Sequence, residues 1–208
     1  MYESKKQIKN TLTEYKNSAA YSTWFGVKFP VDFDLCVLSN VLLFVQKNNL
    51  RWSHADSASL QLITQVITQK QHVSIPHSIS PHYAQTSIIL YHISRLMQVK
   101  PIASLEALKS QLIMETKKAL AKTNNVIKQV LLTTALQRWN VKPTNTIIIE
   151  DNAAIEHNNF SFFIANMASM APKPFKDWIE KIGVGKFYYY CAAYNYTLMI
   201  ESLLLSKN

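Results

Sequence analysis

The sequence predicts an all-α fold of stacked α/α hairpins in a single domain covering residues 1–208. Three observations lead there. Only three glycines occur in 208 residues, too few for an all-β chain built on many tight turns. Apolar residues recur at helical spacing, as at Leu35, Leu38, Leu42 and Val45, through most of the chain. Strongly apolar helical segments also alternate with half-polar ones at a period of about 40 to 50 residues, the spacing of stacked helical hairpins.

Taken in order, residues 4–20 read as a helix with Ile8, Leu12 and Tyr15 on one face. Residues 34–48 add Val37, Val41 and Phe44 on a second face, which predicts a helix buried on most sides. In residues 56–69, Asp56 is placed to cap a half-exposed helix carrying Leu60, Ile63, Val66 and Ile67. Residues 82–97 are mostly apolar, residues 104–120 are amphipathic with Ser104 as the expected cap, and residues 124–139 are apolar again. Residues 187–205 form the most apolar and aromatic segment. Between them, TIIIE and FSFFIA in residues 144–166 flank a polar connector and predict a small β-hairpin or extended insertion. Pro172 and Pro174 then lead into the short helical pattern PFKDWIEKIG.

Composition excludes several classes. With 48% apolar and 17% charged residues the chain is globular rather than disordered, and no apolar run approaches the ~18 residues of a membrane span. The start MYESKKQIKNTLTEY has no apolar stretch or small-residue cleavage site, so no secretory signal is expected. Cys36 and Cys191 sit in apolar patterns and read as small hydrophobes in a reducing, cytoplasmic setting. The net charge of +9 invites a nucleic-acid partner. Its lysines are scattered from Lys5 to Lys207, with Lys117, Lys118 and Lys122 the densest group, and no arginine–aromatic stripe accompanies them, so nucleic acid is not the expected partner.

The apolar helices beginning DFDLCVLSN, YAQTSIILYH and YYYCAAYNYTLMIESLLL together resemble the α/α-toroid proteins, the architecture of terpenoid cyclases and protein prenyltransferase β-subunits. The resemblance runs from about residue 20 onward and lies in the helix pattern. It implies inner helices ringing an apolar cavity, in a partial or shortened toroid because the chain offers four or five hairpins. Where proton-initiated cyclases carry Asp-X-Asp-Asp, this chain has Asp32, Phe33, Asp34 and Leu35.

Chemistry-bearing residues are few. Asp32 and Asp34 open an apolar helix, where a carboxylate either caps the first turn or faces a cavity mouth. Glu201 lies within LMIESLLL, and a carboxylate in that setting needs a partner. Asp32 or Asp34 with Glu201 would form a pair for acid and base work. Tyr91 and His92 sit mid-helix with Arg95 three residues on. Residues 187, 190, 194 and 201 share one helical face, offering Tyr190 and Tyr194 as ligand walls. His72, His77 and His82 recur every five residues without a fourth ligand nearby, so no metal is expected, and no cofactor fingerprint appears. Three functions fit: a protein binding a small, largely apolar or mixed ligand in an inner-helix cavity, a cyclase or glycan-processing enzyme using paired carboxylates, or a helical scaffold for a protein partner.

Overall fold

Asp34 opens the first long helix, as its position before an apolar run requires. Its Oδ1 accepts the backbone N–H groups of Cys36 at 2.9 Å and Val37 at 3.3 Å, and α1 runs from there as Leu35–Lys47. The computed structural model describes residues 8–23, 32–142, 155, 158, 160–172, 175–182 and 184–206. The later helices are α2 (His54–Thr68), the single turns α3 (Gln71–Ser74) and α4 (Pro76–Ile79), α5 (Thr86–Val99), the turn α6 (Ala103–Glu106), α7 (Lys109–Lys122), α8 (Val126–Arg138), α9 (Phe175–Ile182) and α10 (Ala192–Leu205). Strands β1 (Phe163–Asn166) and β2 (Lys186–Tyr189) pair antiparallel. The protein is mainly α-helical.

The apolar helices pack in chain order: α1 lies on α5, α5 on α8, and α8 on α10. The more polar α2 packs on α1, and α7 packs on α8 and α5 from outside the row. The core sits between these layers, with Leu35, Leu38, Leu42, Ile63, Ile67, Ile89 and Ile93 fully buried. Among the described residues, the end helices α1 and α10 make no packing of this kind with each other.

Several local expectations are corrected. Residues 8–20 are not a helix. Only a 3-10 turn forms at Thr13–Tyr15, in a stretch whose Thr, Asn and Ser compete for backbone hydrogen bonds. Asn17 takes a left-handed φ of 65° and donates its N–H to Ile8 O at 2.7 Å. Tyr21 then lies on α2, its N–H bonded to Ser59 Oγ at 3.1 Å. The cap of α2 is Ser53 rather than Asp56. Asp56 is the third helical residue and its Oδ2 accepts the Ser53 N–H at 2.7 Å, completing a capping box. Ser104 likewise lies inside α6, which begins after Ile102 without a side-chain cap.

The predicted insertion is also rearranged. FSFFIA does contain a strand, but its partner is Lys186–Tyr189, while TIIIE lies outside the described residues. The Phe-Tyr-Tyr run expected to start the last helix is therefore β, as its aromatic content favours, and α10 begins only at Ala192. That helix is buried on one side alone: Asn195, Leu198 and Ser202 face inward, whereas Ile200, Leu203 and Leu204 are exposed, because α10 has α8 on one flank and ends the row. The second face of α1 is partly covered, with Val37 and Val41 half-buried and Phe44 exposed.

Candidate ligand-binding site

Gly185 sets up the ribbon that covers the site. Its φ of +77° is a conformation that favours glycine, and its carbonyl accepts the N–H of Met167 at 2.9 Å. The register pairs Ile164 with Tyr188 and Asn166 with Lys186, and side chains alternate across a strand, so these four share one face. Loop residue His82 holds the ribbon down. Its carbonyl accepts the Ile164 N–H at 2.9 Å, its Nδ1 lies 3.0 Å from Ile164 O, and its ring stacks on Phe163 at 5.7 Å between centroids. A second tie runs from Gln85 Nε2 to Ser161 O at 2.8 Å.

Under that face lies a cavity of about 560 Å³. Its floor includes Gln85 and Asn125, the cap residues of α5 and α8. Lys128, one turn into α8, lines it together with His77. The ribbon contributes Asn166, Lys186 and Tyr188, and Tyr190 follows them. A volume of this size holds a small ligand, and a few convergent polar groups beside aromatic rings are what such sites use. A second groove of about 650 Å³ runs along α2, lined by Trp52, Leu60 and neutral Gln, Thr and Ser side chains.

The expected site residues divide among three places. Tyr190 lines the cavity. Tyr91, Tyr194 and Glu201 lie instead around Arg138 between α5, α8 and α10, with His92 beside them facing α1. Glu201 accepts hydrogen bonds from Tyr91 Oη and Arg138 Nη2. The Arg138 guanidinium stands 4.6 Å over the Tyr91 ring, and Arg95 approaches the same ring at 5.7 Å. His92 Nδ1 lies 3.1 Å from Asn40 Oδ1. Burial, reinforced by Arg95 and Arg138, depresses the imidazole to about 3, which keeps it neutral. Burial likewise raises the hydroxyls of Tyr91 and Tyr194, and the Tyr194 ring sits 5.0 Å from Phe162.

Asp32 and Asp34 occupy the third place, the start of α1. Beyond its capping bonds, Asp34 accepts the Ser80 hydroxyl and, on Oδ2, the His82 N–H at 3.0 Å. Burial pushes its carboxyl up while the Ser80 and His82 donors pull it down. Asp32 is almost wholly buried, and burial pushes its carboxyl up to about 7 against the pull of Lys176. Neither aspartate nor Glu201 lines the cavity under the ribbon.

The three histidines also separate. His72 Nε2 is 2.7 Å from Glu115 Oε2 in the core, His82 anchors the ribbon, and His77 faces the cavity. Among the described residues no cluster of His, Cys, Asp and Glu is arranged to hold a metal.

No family model, curated protein or solved structure matches the chain. The site rests on its own chemistry.

Sequence reasoning passed over Gln85, Asn125, Lys128, Lys186 and Arg138. A signal existed for Lys128, because a cation in the first turn of a helix opposes the helix dipole. Arg138 carried one too, as a charge closing the apolar run that follows Gln129. Lys186 had none, since its place depends on a strand pairing between segments that are distant in the chain.

Proposed function

We propose that this protein binds a small ligand, part polar and part aromatic, in the cavity beneath the β1–β2 ribbon at the N-terminal ends of α5 and α8. The observation that carries this reading is the cavity itself: about 560 Å³, with amides, lysines and tyrosines converging on it. The chain of contacts from Asp34 through His82 to Ile164 supports it further, because it fixes the roof relative to the floor. Consecutive packing of α1, α5, α8 and α10 favours reading the row as an arc of the α/α-toroid type, with the first turns of inner helices at a cavity mouth. The absence of the three carboxylates from the described lining favours binding over paired-carboxylate chemistry.

Ligand-observed NMR with a library of small aromatic acids, amides and alcohols tests the reading. Hits should compete with one another and weaken about tenfold or more in Tyr190→Ala, a residue 57% exposed, with unchanged circular dichroism. Hits indifferent to Tyr190→Ala, or no hits, would sink it.

A protein partner has one specific observation in its favour. The helix α9 turns Phe175, Trp178 and Ile182 outward, while Lys176 is buried with its Nζ donating to Asn10 O at 3.0 Å. The simplest version, a second copy of this chain, predicts a sedimentation coefficient that rises with concentration and stops rising in Trp178→Asp.

A further inference from the structure

We propose that the cavity beneath the ribbon takes a phosphate monoester whose organic part is a flat ring. This rests on the ligand-binding reading above and names the class of ligand. Two cations, Lys128 and Lys186, reach the cavity from different elements, and among its described lining residues there is no Asp or Glu to neutralise them. Lys128 is also placed against its own helix. It is the third residue of α8, its own N–H accepted by the Asn125 cap at 3.1 Å, where the helix dipole already presents positive charge. An anion bound in front of it removes that conflict and explains why a lysine stands there.

The rest of the lining suits the same ligand. The caps of α5 and α8 both face the cavity, and these helices are 14 and 13 residues long, so two positive helix ends converge where the lysines do. Asn125 and Asn166 also line the cavity, where Asn125 is held by Asn158 Oδ1 and the Lys128 N–H and shapes the wall. Tyr188 and Tyr190 lie two residues apart on the side of the ribbon that carries Lys186, each about half exposed. Rings left uncovered beside a cationic pocket offer a stacking surface for a flat group attached to the phosphate. A monoester near pH 7 carries between one and two negative charges and three acceptor oxygens, which two lysines and the helix ends match.

Titration calorimetry on the full chain with three probes tests this: phenyl phosphate, inorganic phosphate and phenol. Phenyl phosphate should bind about tenfold tighter than inorganic phosphate, and phenol should give no measurable heat. Lys128→Ala and Lys186→Ala should each weaken phenyl phosphate about fivefold or more, with unchanged circular dichroism and no loss of melting temperature. The exposed pair Lys117 and Lys118 on α7 serves as the control, and replacing both with Ala should leave the affinity unchanged. If that control weakens binding as much as the cavity lysines do, the chain is attracting phosphate through diffuse charge and the inference is wrong. It is equally wrong if neither cavity lysine matters, or if phenol binds as well as phenyl phosphate. Library hits that still depend on Tyr190 would then keep the ligand-binding reading while this assignment fails.

Discussion

Asp34 accepts the backbone N–H of His82 at 3.0 Å across 48 positions of chain. The same carboxylate caps α1, so one side chain fixes a helix start and the loop that carries the ribbon. His82 then passes the restraint to Ile164 through its backbone and its ring. The opening aspartate of the apolar run is thus a joint between the helical row and the roof of the cavity.

Replacing Asp34 with Ala should cost more than a cap. Loss of the cap contributes about 1 kcal/mol, and stranding the buried His82 N–H and Ser80 hydroxyl adds about 1–3 kcal/mol. Urea unfolding should show a total loss of about 2–4 kcal/mol, and ligand affinity should fall with it. A loss confined to about 1 kcal/mol would mean that the tie to the loop contributes nothing.

Asp32 predicts a pH effect of opposite sign to a salt-bridged carboxylate. Its folded value is pushed up from 3.8 to about 7, by burial first and by Asp34 second. The folded state therefore holds the proton more tightly than the unfolded one, and the contribution to stability is complete below about 4 and lost as pH rises to about 7. Because the group is 1% exposed, the full span is worth up to about 4 kcal/mol. Asp32→Asn should be more stable than the wild type at pH 8, and the gap should close as pH falls to 4. An unchanged difference across that range would refute the assignment.

His92 acts in the other direction. Its imidazole, depressed from 6.5 to about 3 by burial and then by the two arginines, stabilises the fold above pH 6.5 and loses that contribution as pH falls toward 3. His92→Gln should flatten this acid limb when melting temperature is followed from pH 7 to 4. A variant as acid-sensitive as the wild type would place the sensitivity elsewhere.

Glu201 is the only carboxylate within salt-bridge distance of Arg138 among the described residues, and the Arg138 side chain is 2% exposed. Glu201 itself is 35% exposed, so solvent screens the pair. Glu201→Leu should still lower stability by about 1–3 kcal/mol, chiefly because a buried guanidinium loses its partner. Adding Arg138→Met in the same chain should recover part of that loss, and strict additivity in the double-mutant cycle would show that the two are not coupled.

At Gly185 the cost is local. A Cβ there would stand 3.2 Å from Met167 Cβ at a φ of +77°, and a left-handed non-glycine residue costs about 1–2 kcal/mol. Gly185→Ala should lower the melting temperature and weaken any ligand held by Lys186 and Tyr188. Unchanged binding would show that the roof does not contribute to the site.

The mainly helical character and the order of apolar and polar helices were legible because helix bonds run between residues four apart, so the pattern of Leu35, Leu38 and Leu42 carries its own information. The Asp34 cap was legible for the same reason. The first segment was not: Ile8 and Tyr15 have helical spacing and are both buried, but in a loop that Asn17 closes onto Ile8 around a single 3-10 turn. Nor was the start of the last helix, because Phe187, Tyr188 and Tyr189 suit either a helix or a strand until a partner strand is known.

The sequence by itself determined most of the helical segments and the cap at Asp34, since those depend on neighbours within one turn. Tertiary structure alone decided that Phe163–Asn166 pairs with Lys186–Tyr189, that Asp34 meets His82, and that Lys128 and Lys186 line one cavity. Strand pairing and long-range hydrogen bonds are settled by which unsatisfied groups meet when the core closes, and no local periodicity records that outcome.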